Sequence, residues 1–104
     1  MLVNLIVNAI QAMPKGGALR ISAQDAEKTL QLVVEDTGTG MPPEVLSRIF
    51  DPFYTTKRAE GTGLGLSISR QITEALHGQI SAENRRDAGG TVIGARFIVR
   101  LPRV

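Results

Sequence analysis

The sequence predicts an α/β two-layer sandwich: a mixed, mostly antiparallel sheet with helices packed on one face. Three observations lead there. Apolar residues recur at helical spacing in two stretches, 1–13 and 64–77. Four short runs alternate apolar and polar residues, as half-buried strands do. The resulting order is helix, two strands, helix, long loop, helix, two strands, which suits paired strands under a layer of helices.

The elements follow in order. In MLVNLIVNAIQAM, Leu2, Leu5, Ile6, Ala9, Ile10 and Met13 fall at helical spacing, and Pro14 with Gly16–Gly17 stops the run. This helix starts at residue 1 with no cap, so a chain cut inside or just before a helix is expected. ALRISAQD (18–25) and TLQLVVED (29–36) read as strands joined by a charged turn at Glu27–Lys28. TGTGMPPE is a loop, and Pro42–Pro43 opens a short helix over 43–49, since proline suits a first helical turn. The segment 50–63 has no period and reads as a loop. From Leu64, the positions Ile68, Ile72, Ala75 and Leu76 return to helical spacing, and Gly78 stands where a C-terminal cap belongs. QISAEN (79–84) and a strand over 93–101 close the chain around a turn at 85–90.

At 104 residues the chain is one domain, 1–104, with room for a modest core. Apolar residues make up 42% and charged residues 21%, which argues against disorder. The four aromatic rings are too few for a base-stacking platform, and the basic excess of +2 is scattered rather than striped. Nucleic acid is therefore not an expected partner. With no cysteine there is no disulfide or thiolate metal site, and one histidine cannot build a multi-histidine one. No apolar run is long enough to span a membrane and no signal layout precedes the first helix, so this stretch reads as soluble and cytoplasmic without membrane contact.

Four places could carry chemistry. Asn4 and Asn8 lie one helical turn apart and share a face. A carboxamide oxygen suits Mg²⁺, although on spacing alone a satisfied polar pair is the commoner reading. Asp36 ends an apolar strand and is followed by Gly38 and Gly40. A carboxylate there could accept from an exocyclic amine such as that of adenine, or the segment could simply be a turn. In EGTGLGLSIS, Gly61, Gly63 and Gly65 run into a helix whose first amides would attract an anion, phosphate above all. The spacing is neither that of a P-loop nor that of a dinucleotide fingerprint. His77 at a helix C-terminus has a structural explanation in the helix dipole.

Taken together, NLIVNAIQA, EDTGTGM, IFDPFYTTK and GTGLGLSIS resemble the N box, first glycine box, F box and second glycine box of the sensor histidine kinase ATP-binding domain. That domain belongs to the GHKL superfamily of gyrase, chaperone ATPases, histidine kinases and mismatch-repair proteins, and has the Bergerat ATP-binding fold. IFDPFYTTK and NAIQAMPKGG resemble the nitrogen-regulation type in particular. The likeness covers essentially the whole chain.

The resemblance implies a function: a Mg-ATP-binding catalytic domain that donates the γ-phosphate to a histidine on a separate dimerisation domain. It implies ATP and Mg²⁺ as cofactors, with a response regulator as an indirect partner. The implied catalytic set is Asn4, Asn8 and Lys57, with the metal on Asn8. The implied nucleotide set is Asn8, Asp36, Gly38, Gly40, Phe50, Phe53, Thr56, Lys57, Gly61, Thr62, Gly63, Leu64, Gly65 and Leu66. Within it, Asp36 reads the adenine amine, Phe50 and Phe53 anchor a lid over 51–62, and Gly61, Gly63 and Gly65 hinge it. The late Gly-Thr beside the base is matched by Gly90–Thr91 or by Gly94–Ala95. The second alignment is preferred because Phe97 and Leu101–Pro102 then fall in place.

Some of the pattern is missing. The usual strand and helix start ahead of NLIVNAIQA are absent, which implies a sheet short of an edge and an under-filled core. No phosphoacceptor histidine is present, so the domain alone is expected to be inactive. A nucleotide-binding or docking module without kinase activity is the alternative. An ATP-hydrolysing relative is disfavoured, because that branch has glutamate where this chain has Asn4, and a carboxamide is no general base.

Overall fold

The structure, a computed structural model, describes residues 2–26, 28–51 and 65–102. Its elements are α1 (Leu2–Gln11), β1 (Leu19–Ala26), β2 (Thr29–Asp36), α2 (Pro43–Leu46), α3 (Gly65–Ala75), β3 (Gln79–Arg86) and β4 (Val92–Pro102). The four strands form one sheet in the order β1-β2-β4-β3, and every pairing is antiparallel. The mixed sheet expected from the sequence is thus a purely antiparallel one among the described residues.

The register sorts side chains onto two faces. Val34 pairs with Phe97, which pairs with Ala82, and the next inward row holds Leu32, Val99 and Ile80. These residues face α1 and α3, and the core is Leu5, Ala9, Val34, Ile49, Phe97 and Val99. The intervening residues Glu35, Arg96 and Glu83 line up on the other face, which no described helix covers. Phe97, Val34 and Leu5 are each 1% exposed, so hydrophobic burial concentrates in this small centre.

Several local readings are corrected. Ile10 is exposed rather than inward, because at 3.6 residues per turn it stands about 100° from buried Ala9. Helix α1 tightens at its end, where Met13 N donates to Ile10 O, and Pro14 then forbids another turn. Helix α2 is shorter than the expected 43–49 and passes at Ser47 into turns, with Arg48 N donating to Val45 O and Asp51 N to Arg48 O.

In α3 the inward side combines Leu66, packed on the core, with buried hydroxyl residues. Ser69 and Thr73 are fully buried, whereas Ile68, Ile72 and Leu76 are 40–51% exposed. The Thr73 hydroxyl donates to Ser69 O at 2.8 Å, so burying it leaves no unmet donor.

The C-terminal cap of α3 also differs. His77 N donates to Glu74 O and Gly78 N to Thr73 O, the paired bonds of a Schellman motif. His77 therefore takes the left-handed position itself, with φ of 64°. Gly78 is one residue further on, where any side chain would collide with Arg100 O of β4.

Among the described residues, β1 and β3 are the edge strands. On the helix side of β1, Leu19 and Ile21 are 36% and 47% exposed, and Val3 and Val7 of α1 are also open. Among the described residues, no helix is long and apolar enough to cross a membrane.

Candidate nucleotide site

The site begins at the end of β2. Alternation along this strand buries Val34 and then Asp36, which is 2% exposed although it is a carboxylate. Its burial is compensated by backbone donors: Oδ1 accepts from Gly38 N at 2.9 Å and from Ala95 N at 3.1 Å. Oδ2 receives no donor from the described residues, and the side chain lines a cavity of about 270 Å³.

That cavity lies between α1, the loop after β2, α2 and β4. Its walls are Asn8, Gln11, Ala12, Pro14, Asp36, Thr39, Gly40, Met41, Val45, Ile49 and Ala95. Mostly apolar walls with a few directed polar groups are the usual composition of a small-molecule site.

The glycines after Asp36 have specific reasons to be there. Gly40 has φ of 74°, a left-handed conformation, and a side chain there would strike Val92 and Asn84. Gly38 lies so close to Ala12 O that a Cβ would clash, which lets the loop close against the end of α1. Asn84 then ties the loop to β3. Its Nδ2 donates to Met41 O at 2.6 Å, and its Oδ1 accepts from Met41 N at 2.7 Å.

Charge accumulates on the opposite face of the same strand ends. Arg96 donates from Nε to Glu35 Oε2 at 2.9 Å and from Nη1 to Glu83 Oε2 at 2.8 Å, and its Nη2 forms an ion pair with Glu35 Oε2 at 2.8 Å. Hydrogen bonding to Glu35 is the main influence holding the Arg96 guanidinium above its ordinary range, against the opposing effect of burial. Arg85 Nη1 donates to Asp36 O at 2.7 Å.

The residues named from sequence sort as follows. Asn8, Asp36 and Gly40 meet at the cavity, and Gly38 touches it through Asp36 Oδ1. Asn4 is half-buried one turn back from Asn8 and is not a wall residue. Phe50 packs edge-on against Phe97, with centroids 6.1 Å apart at 84°, and is not a wall residue of the cavity. Leu66 also packs on the core, and Gly65 is the first residue of α3. Phe53, Thr56, Lys57, Gly61, Thr62, Gly63 and Leu64 lie outside the described residues. Of the two late alignments, it is Gly94–Ala95 that borders the site: Ala95 forms wall and bonds Asp36, while Gly90 closes the 87–91 turn.

Sequence reasoning missed Asn84, Gln11 and Arg85. A signal for Asn84 exists: it continues the inward alternation of Ile80 and Ala82, so a polar residue stands where an apolar one is expected.

Comparison with known proteins identifies relatives of this fold. Residues 1–104 match the family model described as histidine kinase-, DNA gyrase B- and HSP90-like ATPase. The probable sensor kinase SilS of Salmonella typhimurium is 38% identical over 106 residues, a match spanning 97% of this chain and 20% of that protein. The catalytic domain of histidine kinase ThkA, in a nucleotide-free form, superposes with a TM-score of 0.83 at 40% identity, over 97% of this chain and 62% of that one. ThkA also matches in its complex with the response regulator TrrA, with a TM-score of 0.78, 36% identity and 99% and 27% of the two chains covered. Full-length ShkA in complex with AMPPNP superposes with a TM-score of 0.81 at 28% identity, over 97% of this chain and 20% of that one. The chain thus spans about a fifth of the curated relative it matches. It belongs to the histidine kinase-, DNA gyrase B- and HSP90-like ATPase family, and its relatives there are sensor histidine kinases.

Proposed function

We propose that this chain is the Mg-ATP-binding catalytic domain of a two-component sensor histidine kinase, supplying the γ-phosphate to a histidine on a separate dimerisation domain. The observation that carries the reading is Asp36: a buried carboxylate with one oxygen fixed by two amides and the other left for the contents of a cavity that Asn8 also lines. A carboxylate only accepts hydrogen bonds. It therefore takes the exocyclic amine of adenine and repels the carbonyl that guanine presents at the same place. The apolar walls Val45, Ile49 and Met41 cover a flat ring, and the close backbone at Gly38–Gly40 lets it sit against the chain.

Toward the phosphates, Asn8 is the residue that would hold Mg²⁺. Among the described residues there is no cluster of three His, Cys, Asp or Glu side chains, and Mg²⁺ is commonly held by a few protein oxygens plus phosphate. When bound, the ion neutralises charge on the outer phosphates, and phosphoryl transfer then rests on positioning and electrostatics. Asn4, one turn away, cannot take a proton from water, which favours transfer over hydrolysis. Lys57, Phe53, Thr56 and the 61–65 glycines keep their phosphate and lid roles as part of the same proposal, on the strength of the family motif.

The dimerisation domain is the direct partner in this reading, and a response regulator the indirect one, in line with the ThkA–TrrA complex. Cytoplasmic location and the nitrogen-regulation subtype belong to the proposal as well. Calorimetry of this chain with Mg-ATP tests the reading. Saturable binding that weakens about a hundredfold in Asp36→Asn is the expected result, since a charge-assisted hydrogen bond is lost. An unmutated chain that takes up no heat would refute it.

A further inference from the structure

We infer, resting on the reading of the cavity as an adenine site, that Arg85 is a positioning residue for base recognition, acting on Asp36 from the face of the sheet opposite the nucleotide.

The backbone shows why one is needed. On its β4 side, the β2 ladder ends at the pair Glu35–Arg96. Asp36 is one residue beyond, so β4 offers no laddered partner to the segment that carries the carboxylate. Arg85 supplies the missing donor: its Nη1 reaches Asp36 O at 2.7 Å. Its Nε lies 3.3 Å from Glu35 Oε2, near enough for an ion pair but out of line for a hydrogen bond, and is buried without an acceptor. One guanidinium thus holds two successive residues of β2, one by its side chain and one by its carbonyl. Glu35 and Asp36 point to opposite faces. A grip on the open face therefore fixes what the cavity face presents.

The cross-strand partner of Arg85 on β4 is Gly94. A Cβ there would collide with Asp36 O, the atom to which Arg85 donates, and φ at Gly94 is 155°, which L side chains rarely adopt. The gap left by Gly94 is what allows Arg85 to reach across β4 to β2. Across β4 and β3, Arg96 and Glu83 complete a charged row with Glu35, so Glu35 is itself braced. A carboxylate discriminates an amine only if its oxygen is held at hydrogen-bond distance, and a small displacement forfeits most of that selectivity. Arg85 is not a wall residue of the cavity, so its effect is transmitted through Asp36.

The test compares Mg-ATP with the Mg complex of purine riboside triphosphate, which lacks the exocyclic amine, by calorimetry on this chain. The unmutated chain is expected to prefer ATP by about tenfold or more, the value of one hydrogen bond to a charged group. Arg85→Ala is expected to lose most of that preference by weakening ATP about tenfold, with the amine-free nucleotide changed less than about twofold. Arg85→Lys, which keeps a donor and a charge beside Glu35, recovers part of it. Adding Arg85→Ala to Asp36→Asn is expected to cost nothing further, since the first acts only through the second.

Equal weakening of both nucleotides, or none, overturns the inference while leaving the adenine site intact. So does a full Arg85→Ala effect in the Asp36→Asn background. An unmutated chain that binds neither nucleotide overturns the adenine site and the inference with it. If Arg85→Ala does not fold, Arg85→Lys and Glu35→Gln carry the test, read by the same preference and by the amide resonances of Gly38 and Ala95. Those two resonances are expected to shift together as Asp36 Oδ1 moves, and unmoved resonances with an unchanged ratio reject the role.

Discussion

Two neighbouring rows of the sheet's inner face, separated by two residues along each strand, do opposite things. In one, Val34, Phe97 and Ala82 stand side by side and Phe97 is 1% exposed, filling the space beneath α1. In the next, Asp36, Ala95 and Asn84 occupy the same strands, and a cavity opens above them. The strands and the covering helix are shared, so the difference lies in side-chain volume and in where the polar groups find partners. Ala95 leaves room where Phe97 leaves none. Asp36 Oδ1 and the Asn84 carboxamide are both met by backbone, one by the Gly38 and Ala95 amides and the other by both polar groups of Met41. A binding site here is a continuation of the core with smaller and polar residues, stabilised by hydrogen bonds in place of packing.

The contrast can be broken from either side. The largest effect is expected from the packed row: Phe97→Ala should cost about 3–5 kcal/mol of unfolding free energy, measured by urea denaturation. Filling the open row should do the reverse. Ala95→Leu is expected to abolish nucleotide binding in calorimetry while costing about 1–3 kcal/mol in stability from overpacking. A chain that binds Mg-ATP normally with leucine at that position would show that the cavity is not the site. The smallest of the three is Asn84→Ala, which removes both bonds to Met41 and is expected to cost about 1–2 kcal/mol. Its signature is faster amide exchange at Met41, with the Phe97 amide protected as before.

Much of this was legible in the sequence because the signals were local. The alternation of TLQLVVED gives β2 its observed bounds and places Asp36 at its last position, and the glycines that follow mark a loop under close constraint. The inner face of α3 was not legible in the same way. Hydropathy points to Ile68 and Ile72, yet the buried positions are Ser69 and Thr73, because a hydroxyl bonded within its own helix can be buried without a lost hydrogen bond. Arg85 and Glu35 were illegible for a different reason. Their meeting depends on the strand order β1-β2-β4-β3, which sets β3 next to β4 and lets a long side chain span to β2. Nothing within a few residues of either one encodes that neighbour.

The cap of α3 bears on how this domain can be handled experimentally. Position 77 demands a left-handed backbone, and a histidine there spends free energy that glycine would keep. His77→Gly is thus expected to raise the unfolding free energy by roughly 0.5–1 kcal/mol, visible as a higher melting temperature. The position is outside the walls of the cavity, so the gain should come without altered ligand recognition. A small domain with little stability to spare would then tolerate the more disruptive core and site variants in a folded state, making a surplus stored in one turn of backbone a working reserve for dissecting the rest.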